Sequence, residues 1–273
     1  MKNNIIVKML LAVIFFVITI EYILGDPMSL LSATIYLAAP LVYMASSFYV
    51  ARLYGHGNKT GEALFFVFLG ASFWFLGEVI WYILKFFMHA EPFPSIADVF
   101  FLLAYPLFFV AIYKGLGHVK DDWKKIKKST IIFNVILAIF LTGVVSYWGI
   151  YSAYDPELGI SENIFAMSYG VGDLFLVFGL LWAVSLVSIY GKGKLGRFWN
   201  IMTGGVLLYL VADILFAMFQ SEYLGGFQLY GYIDIIWMAS YFVLAYGLLE
   251  NALVVNAIQE KMEKSPLAAE NLK

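Results

Sequence analysis

Carboxylic acids interrupt three long apolar stretches of this sequence, as Glu78, Asp173 and Asp213. Two further acids, Asp98 and Asp234, stand at the start of apolar stretches. An ionisable side chain that faces lipid costs roughly 2.5–3.5 kcal/mol on insertion scales, so several of them are untenable on a lipid-facing surface. We therefore expect most of these carboxyls to face inward, either toward each other or toward a shared cavity that takes a cation, a cationic amine or a proton.

Aromatic residues flank two of these acids at helical spacing. The first stripe is Trp74, Glu78, Trp81 and Lys85, and the second is Tyr209, Asp213, Phe216 and Gln220. In both stripes the offsets i, i+4, i+7 and i+11 place the residues on one face of a helix. Each acid is thus predicted to lie between two aromatic rings on the same face.

The candidate ligand-binding residues are the acids together with aromatic residues that recur near them. They are Glu78, Asp98, Asp173, Asp213, Asp234, Trp74, Trp81, Tyr105, Tyr169, Trp237 and Tyr241. Pro106 removes one backbone hydrogen bond from its helix and predicts a kink close to the acids. Such a kink either opens space for a ligand or fits a neighbouring helix.

Each acid also has an interpretation that involves no ligand. Ser95-x-x-Asp98 has the spacing of a capping box, and an acid such as Asp98 or Asp234 is favourable at a helix N-terminus. Acids inside a helix, such as Asp173, can instead be protonated or can accept hydrogen bonds from Tyr and Trp that hold the helices together. Both interpretations remain open from the sequence.

Composition favours a lipid environment and excludes several kinds of site. The 273 residues are 62% hydrophobic and 13% charged, with a net charge of −2 and a mean hydropathy of +0.84, whereas soluble domains carry about 25% charged residues. The absence of cysteine excludes disulfides, thiolate metal sites and cysteine nucleophiles. We find no serine triad and no nucleotide-binding fingerprint, and we expect no enzymatic activity, no cofactor and no nucleic-acid partner. A lone His89 is too little to assign a metal.

Eight apolar stretches are long enough to cross a bilayer core of about 30 Å, which needs about 20 helical residues. The predicted spans are residues 5–24, 29–53, 63–88, 96–116, 130–150, 163–190, 199–219 and 229–254. They predict an all-α polytopic membrane protein with one eight-helix domain over residues 1–254 and a short tail over residues 255–273. The lipid bilayer is then its first partner.

The basic residues predict the orientation of the spans. Nearly all of them fall at the N-terminus, in the second, fourth and sixth loops, or in the tail, with Lys85 as the exception. The other loops carry only acids, namely Asp26, Glu91, Asp155, Glu157 and Glu222. The positive-inside rule therefore predicts a multi-pass cell-membrane protein with both termini in the cytoplasm and the acids in its outer half.

A short pattern recurs at the start of the even-numbered spans. Asp98 precedes Ala104–Tyr105 by six residues, and Asp234 precedes Ser240–Tyr241 by the same distance. Glu162 with Ser168–Tyr169 and Ser29 with Ile35–Tyr36 keep this offset. The units follow one another at similar intervals along the chain, which suggests four copies of a two-helix hairpin.

Several motifs together resemble a known family. They are Trp74-x3-Glu78, Pro94-Ser95-x-Ala97-Asp98 with Tyr105–Pro106, Tyr169-Gly-x-Gly-Asp173-Leu and Asp234-x2-Trp237-x3-Tyr241. Over roughly residues 60–250 the sequence resembles the multi-pass membrane sensor region that precedes diguanylate cyclase, cyclic-di-GMP phosphodiesterase and some histidine kinase domains in bacteria. The resemblance implies an integral-membrane input module, with these acids as recurrent polar positions. The segment Asn251 to Lys273 is expected to hold a short helix that ends near Lys264, and no effector domain.

Three functions remain open from the sequence. The first is a sensing or binding module that takes a cation or small ligand in an outward-facing cavity and signals through a separate partner. The second is a cation- or proton-coupled transporter, although the inner half holds few ionisable groups. The third is an intramembrane lipid-modifying enzyme that uses paired carboxylates.

Overall fold

A computed structural model of the chain describes residues 2–90, 92–117, 120–157, 159–189 and 194–263. The protein is 85% helical with no strand among these residues, and eight of its helices are long and apolar enough to cross a membrane. This confirms the predicted all-α, eight-span fold. The spans, numbered one to eight, are Ile6–Leu24, Leu30–Tyr54, Lys59–Phe86, Ile96–Gly115, Lys128–Tyr151, Ile160–Ser188, Gly196–Met218 and Gln228–Val254.

Some spans contain more than one helix. The helices are α1 (Lys2–Leu24), α2 (Leu30–Tyr36), α3 (Ala38–Tyr54), α4 (Lys59–Phe86), α5 (Ile96–Gly115), α6 (Lys128–Val144), α7 (Ile160–Ser188), α8 (Lys194–Met218), α9 (Gln220–Leu224), α10 (Gln228–Gly231) and α11 (Ile233–Glu263). Span five continues from α6 into a π-helical segment, Val145–Tyr151. The predicted tail helix is present as the end of α11, and residues 264–273 lie outside the described residues.

The two faces of the bundle differ in what they carry. The connections after spans one, three, five and seven lie on one face, which we call the loop face. The start of α1, the end of α11 and the span ends that flank the connections after spans two, four and six lie on the other, which we call the terminal face. The cytoplasmic placement of the terminal face stays a prediction from its basic residues.

Local sequence explains where several helices begin or break. Asn58 caps α4 by accepting a hydrogen bond from the Gly61 amide at 2.8 Å. The predicted capping box is present at the start of α5, where Ser95 and Asp98 each accept a hydrogen bond from a backbone amide. Span two breaks at Leu37, because Pro40 has no N–H to bond the carbonyl of Tyr36.

Six spans form a closed ring, and the other two lie outside it. Spans two, three, four, six, seven and eight each pack against two neighbours in the ring, in that order. Span one packs on the outside of span eight, and span five packs on spans six and seven. Only 11% and 6% of the apolar windows of spans one and five are buried, against 56% for span eight. The ring therefore contains the protein core.

The two halves of the chain have matching contacts. Trp74 of span three stacks face to face on Tyr209 of span seven, with ring centroids 4.2 Å apart. Trp81 and Phe216, which keep the same sequence separation as that first pair, meet edge to face at 6.2 Å. Equivalent positions on spans three and seven therefore touch each other. We infer an approximate twofold axis between these spans, which relates spans two, three and four to spans six, seven and eight.

Close helix packing repeats at the same sequence separation. A Cβ at Gly70 would lie 2.6 Å from the Phe108 ring, and a Cβ at Gly205 would lie 2.6 Å from the Leu244 side chain. The sequence separation between Gly70 and Gly205 equals that between Trp74 and Tyr209. The separation between Phe108 and Leu244 is nearly the same. Small residues at such positions let helices approach closely. Spans three and four thus pack against each other as spans seven and eight do.

Candidate functional site

The five predicted acids line one cavity. Glu78, Asp98, Asp173, Asp213 and Asp234 all contribute to the wall of a space of about 110 Å³ in the loop-face half of the ring. A water molecule needs only about 10–15 Å³ measured in this way, so the cavity has room for a small ligand or several waters. The predicted aromatic residues Trp81, Tyr169 and Trp237 also line it.

Three predicted residues have other positions. Tyr105 and Tyr241 do not line this cavity, but their hydroxyls donate hydrogen bonds to its acids. Trp74 lines a different cavity, nearer the terminal face. The predicted acids thus all lie at one site. Tyr105 and Tyr241 support that site by donating hydrogen bonds to its acids.

Glu78 is held by two tyrosines from other spans. Its Oε1 atom accepts hydrogen bonds from the Tyr36 hydroxyl at 2.8 Å and the Tyr241 hydroxyl at 2.9 Å. Tyr36 belongs to span two and Tyr241 to span eight. Glu78 therefore ties span three to spans two and eight through one of its two carboxylate oxygens.

Asp234 is held in a similar way. Its Oδ2 atom accepts from the Tyr22 hydroxyl and its Oδ1 atom from the Tyr223 hydroxyl, both at 2.8 Å. Burial, and next the charge of Asp234, raise the pKa of the Tyr223 phenol well above its usual range. The phenol therefore keeps its proton and remains a donor to Asp234. This contact fixes the short helix α9 over the cavity.

Asp98 has the capping role that the sequence allowed, and it also lies at the cavity. Its Oδ2 atom accepts from the Ser95 amide at 2.6 Å, and its Oδ1 atom accepts from the Tyr169 hydroxyl at 2.5 Å. Both carboxylate oxygens are thus occupied, one within its own helix and one across to span six. Asp98 joins the start of α5 to α7.

Asp173 and Asp213 share one donor. The Tyr105 hydroxyl lies 2.8 Å from Asp173 Oδ1 and 3.3 Å from Asp213 Oδ2, and Trp237 Nε1 donates to Asp213 Oδ1 at 2.7 Å. A phenol has a single hydrogen, so its stronger hydrogen bond goes to Asp173, the nearer carboxyl. The longer contact with Asp213 is either the weaker branch of a bifurcated hydrogen bond or a hydrogen bond that a protonated Asp213 donates to the phenol oxygen.

Asp173 is the least satisfied of these acids. Its side chain is 1% exposed and its Oδ2 atom has no hydrogen-bond donor among the described residues, although it lines the cavity. Buried polar atoms without partners are rare and need an explanation. Asp213, its neighbour, is another acid, which attracts Oδ2 only through a shared proton or cation.

Asp173 also departs from the approximate symmetry. When Tyr36 is aligned with Tyr169, the position that corresponds to Asp173 is Pro40. By contrast, Glu78 corresponds to Asp213 when Trp74 is aligned with Tyr209. Asp173 therefore has no acidic counterpart in the other half, and the matched packing of the halves does not explain it.

Lys85 is the cation at this cavity. Its Nζ lies 5.4 Å from the centre of the Tyr223 ring and 3.6 Å from Met28 Sδ. No ion pair within 4.0 Å joins it to a carboxylate in the described part of the chain. The site thus already accommodates an ammonium group against an aromatic ring, an attractive arrangement in itself.

The acids do not gather into a metal site. Within the described ranges, no group of three or more His, Cys, Asp or Glu side chains could hold a metal ion. The carboxyls are instead distributed around the wall, each beside aromatic donors. This arrangement suits an organic cation better than a small metal ion, which needs several oxygen ligands at one point.

Sequence reasoning missed three of the donors. Tyr22, Tyr36 and Tyr223 each hold an acid, but none was among the candidates. Tyr36 had a usable signal, because it occupies the tyrosine position of the repeat that begins at Ser29. Tyr223 had none, because it lies on the short helix α9 between two spans.

No protein-family model, curated protein or solved structure matches this chain. The resemblance to the membrane sensor region therefore stays a prediction that depends on the quoted motifs. The acids of those motifs, Glu78, Asp98, Asp173 and Asp234, all lie at the cavity described above. Function is best inferred from the chemistry of that cavity.

Proposed function

We propose that the protein binds a small organic cation, one with an ammonium group, in the cavity of the loop-face half. The observation that carries this proposal is that Asp173 lines the cavity while its buried Oδ2 atom has no donor in the described structure. An organic ammonium would supply the missing positive charge, and its N–H groups or, in a quaternary ammonium such as choline, its hydroxyl would supply the hydrogen-bond donor. Under the predicted orientation, this ligand would enter from outside the cell.

The aromatic wall favours an ammonium over a neutral ligand. Trp81, Phe216, Tyr223 and Trp237 form one contiguous cluster there, with ring centroids 5.2 to 6.3 Å apart. Aromatic faces attract cations by about 0.5–1 kcal/mol when exposed and about 2 kcal/mol or more when desolvated. Lys85, beside Tyr223, shows the geometry that a ligand ammonium would use.

The path of α11 supports the proposal of a sensing role. This helix begins beside the cavity at Asp234 and runs to Glu263, beyond the end of span eight at Val254. A ligand that prefers one arrangement of α11 would change the populations of both arrangements, and so the position of its terminal-face end. We propose that a separate signalling partner reads this end.

The test compares choline with 3,3-dimethylbutanol, its uncharged isostere. We expect choline to raise the unfolding temperature of the purified protein at constant ionic strength, because a ligand at about 100 times its Kd stabilises the folded state by about 2.7 kcal/mol. The isostere should give little shift. Asp173→Asn should abolish the choline shift, because the amide removes the negative charge but keeps the shape.

The matched control is Glu157→Gln, which removes an exposed acid from the same face. It should leave the choline shift intact. An equal shift with choline and with its isostere, or an unchanged shift in a folded Asp173→Asn protein, would contradict the proposal. A panel of methylammonium, tetramethylammonium and choline then measures the preferred size.

A transporter is the second candidate, and the two-half arrangement favours it. Many transporters place their substrate between two structural repeats that rock against each other. Uptake of labelled choline into proteoliposomes above the level of protein-free liposomes would support transport. Binding that depends on Asp173 without any uptake would leave the sensing role.

A further inference from the structure

A second cavity lies in the terminal-face half of the ring and is larger than the first. Its volume is about 250 Å³, and spans two, three, four, six, seven and eight all contribute to its wall. The wall is mainly apolar, with residues such as Leu64, Ala111, Leu180 and Met202. No described acid lines it, so a bare cation would find no counter-charge there.

Trp74 contributes a polar group, its indole N–H, to this apolar part of the protein. The residue lines the second cavity but not the first, and it is 1% exposed. The indole is held by its stack on Tyr209. Its Nε1 donor has no acceptor within the part of the chain that the structure describes, although buried tryptophan N–H groups usually find one.

Further polar groups lie near the terminal face. The Tyr54 hydroxyl donates to Asn251 Oδ1 at 2.7 Å, and both residues line the cavity together with Thr60. The Asn251 amide nitrogen makes no hydrogen bond with a described residue. The cavity therefore combines apolar walls with a buried, unused donor at Trp74 and polar groups at its terminal-face end.

We propose that this cavity binds an uncharged, ring-sized molecule that carries an acceptor oxygen. The oxygen would accept the hydrogen bond of Trp74 Nε1, and the ring would lie against the apolar wall. An apolar cavity of about 150 Å³ is enough for benzene, so 250 Å³ accommodates a substituted ring. This proposal does not rest on the proposed binding of a cation in the first cavity.

The experiment uses two fluorinated probes and ¹⁹F NMR titration of the full chain in nanodiscs, with empty nanodiscs subtracted. The first probe is 4-fluoroacetophenone, which has a carbonyl acceptor. The second is 1-fluoro-4-isopropylbenzene, in which an apolar branch replaces the carbonyl. We expect saturable binding of both, with the ketone about threefold to tenfold weaker in Trp74→Phe, the change that corresponds to one lost hydrogen bond.

The isopropyl probe separates the hydrogen bond from a general change in packing. Its affinity should be the same in the wild-type protein and in Trp74→Phe. If both probes lose affinity equally, or if the ketone loses none, the role of the Trp74 donor is wrong. Neither result depends on the choline experiment.

Filling the cavity tests its location. Ala111→Leu should abolish binding of both probes, because Ala111 is 4% exposed and lines the cavity. Ala63→Leu, at a second position on the wall that is 5% exposed, serves if the first variant does not fold. Ala12→Leu on the exposed face of span one is the control and should bind as wild type. Unchanged binding in a folded filled variant would overturn the proposal.

Discussion

At the residue scale, tyrosine hydroxyls are the main partners of the membrane-embedded acids. Tyr22, Tyr36, Tyr105, Tyr169, Tyr223 and Tyr241 all donate to a carboxylate. A phenol satisfies a buried carboxylate without bringing a second charge out of water, which is costly in an apolar medium. The same acids are therefore both structural ties and wall groups of the cavity.

Removing the shared donor should expose this double role. Tyr105→Phe leaves Asp173 and Asp213 without the hydroxyl that both contact. We expect a loss of about 1–2 kcal/mol in the free energy of unfolding, given the size of buried and intramembrane hydrogen bonds. Denaturant titration of the protein in nanodiscs or bicelles measures the change.

The control for this substitution is Tyr151→Phe, at a side chain that is 69% exposed. It should change the free energy of unfolding by less than about 0.5 kcal/mol, as surface substitutions usually do. Equal effects of the two variants would show that the Tyr105 hydroxyl stabilises nothing. A stabilised Tyr105→Phe protein would contradict the prediction as well.

The convergence of the acids could be predicted from single residues, but their partners could not. The cost of a charge in lipid and the stripe around Glu78 were enough to expect an inward-facing group. The identity of each donor depends on which spans are neighbours. Tyr22 reaches Asp234 across 212 residues of sequence, and no spacing rule encodes that contact.

At the element scale, close approach of spans four and six positions the site. A Cβ at Gly172 would lie 2.7 Å from the Tyr105 ring, so only glycine allows this ring its present place beside Asp173. The sequence motif Gly-x-Gly-Asp therefore has a packing explanation at its second glycine. The acid of this motif, Asp173, has a chemical explanation instead, because it lines the cavity.

Gly172→Ala should displace Tyr105 and destabilise the protein by about 1–3 kcal/mol, the usual cost of overpacking. Gly143→Ala is the matched control, because a Cβ there meets nothing within 4 Å. It should be neutral or stabilising by up to about 1 kcal/mol, because alanine is the better helix former. Thermal unfolding of both variants checks the pair, and a Gly172→Ala protein as stable as Gly143→Ala would contradict the close approach.

Helix positions were predictable, whereas their interruptions were only partly so. All eight spans begin and end within a few residues of the predicted bounds, because their lengths follow from the bilayer thickness. The break at Leu37 has a local cause in Pro40, which the prediction did not use. The π-helical segment Val145–Tyr151 contains no proline, and we have no physical account of it.

At the scale of the whole molecule, the absence of cysteine gives a direct test of orientation. Gly57 on the terminal face and Ser221 on the loop face are both exposed. Each is replaced by a single cysteine in a separate variant. A membrane-impermeant maleimide added to intact cells should label Ser221→Cys and not Gly57→Cys. This follows from the positive-inside rule, since the basic loops lie on the terminal face.

Detergent-solubilised protein is the control for that experiment, because both cysteines should then be labelled. The reverse pattern on intact cells would place the acid cavity on the cytoplasmic side. Choline would then have to act from within the cell. The binding proposal and the orientation prediction are therefore separable.

The contrast between Pro40 and Asp173 has a consequence for how the ligand binds. In a dimer of identical chains, a molecule on the symmetry axis would meet the same groups on its left and on its right. Here both halves belong to one polypeptide, so one half can carry a carboxyl, that of Asp173, which has no counterpart in the other. We therefore expect the proposed cation to bind in one preferred orientation, with its charge toward Asp173.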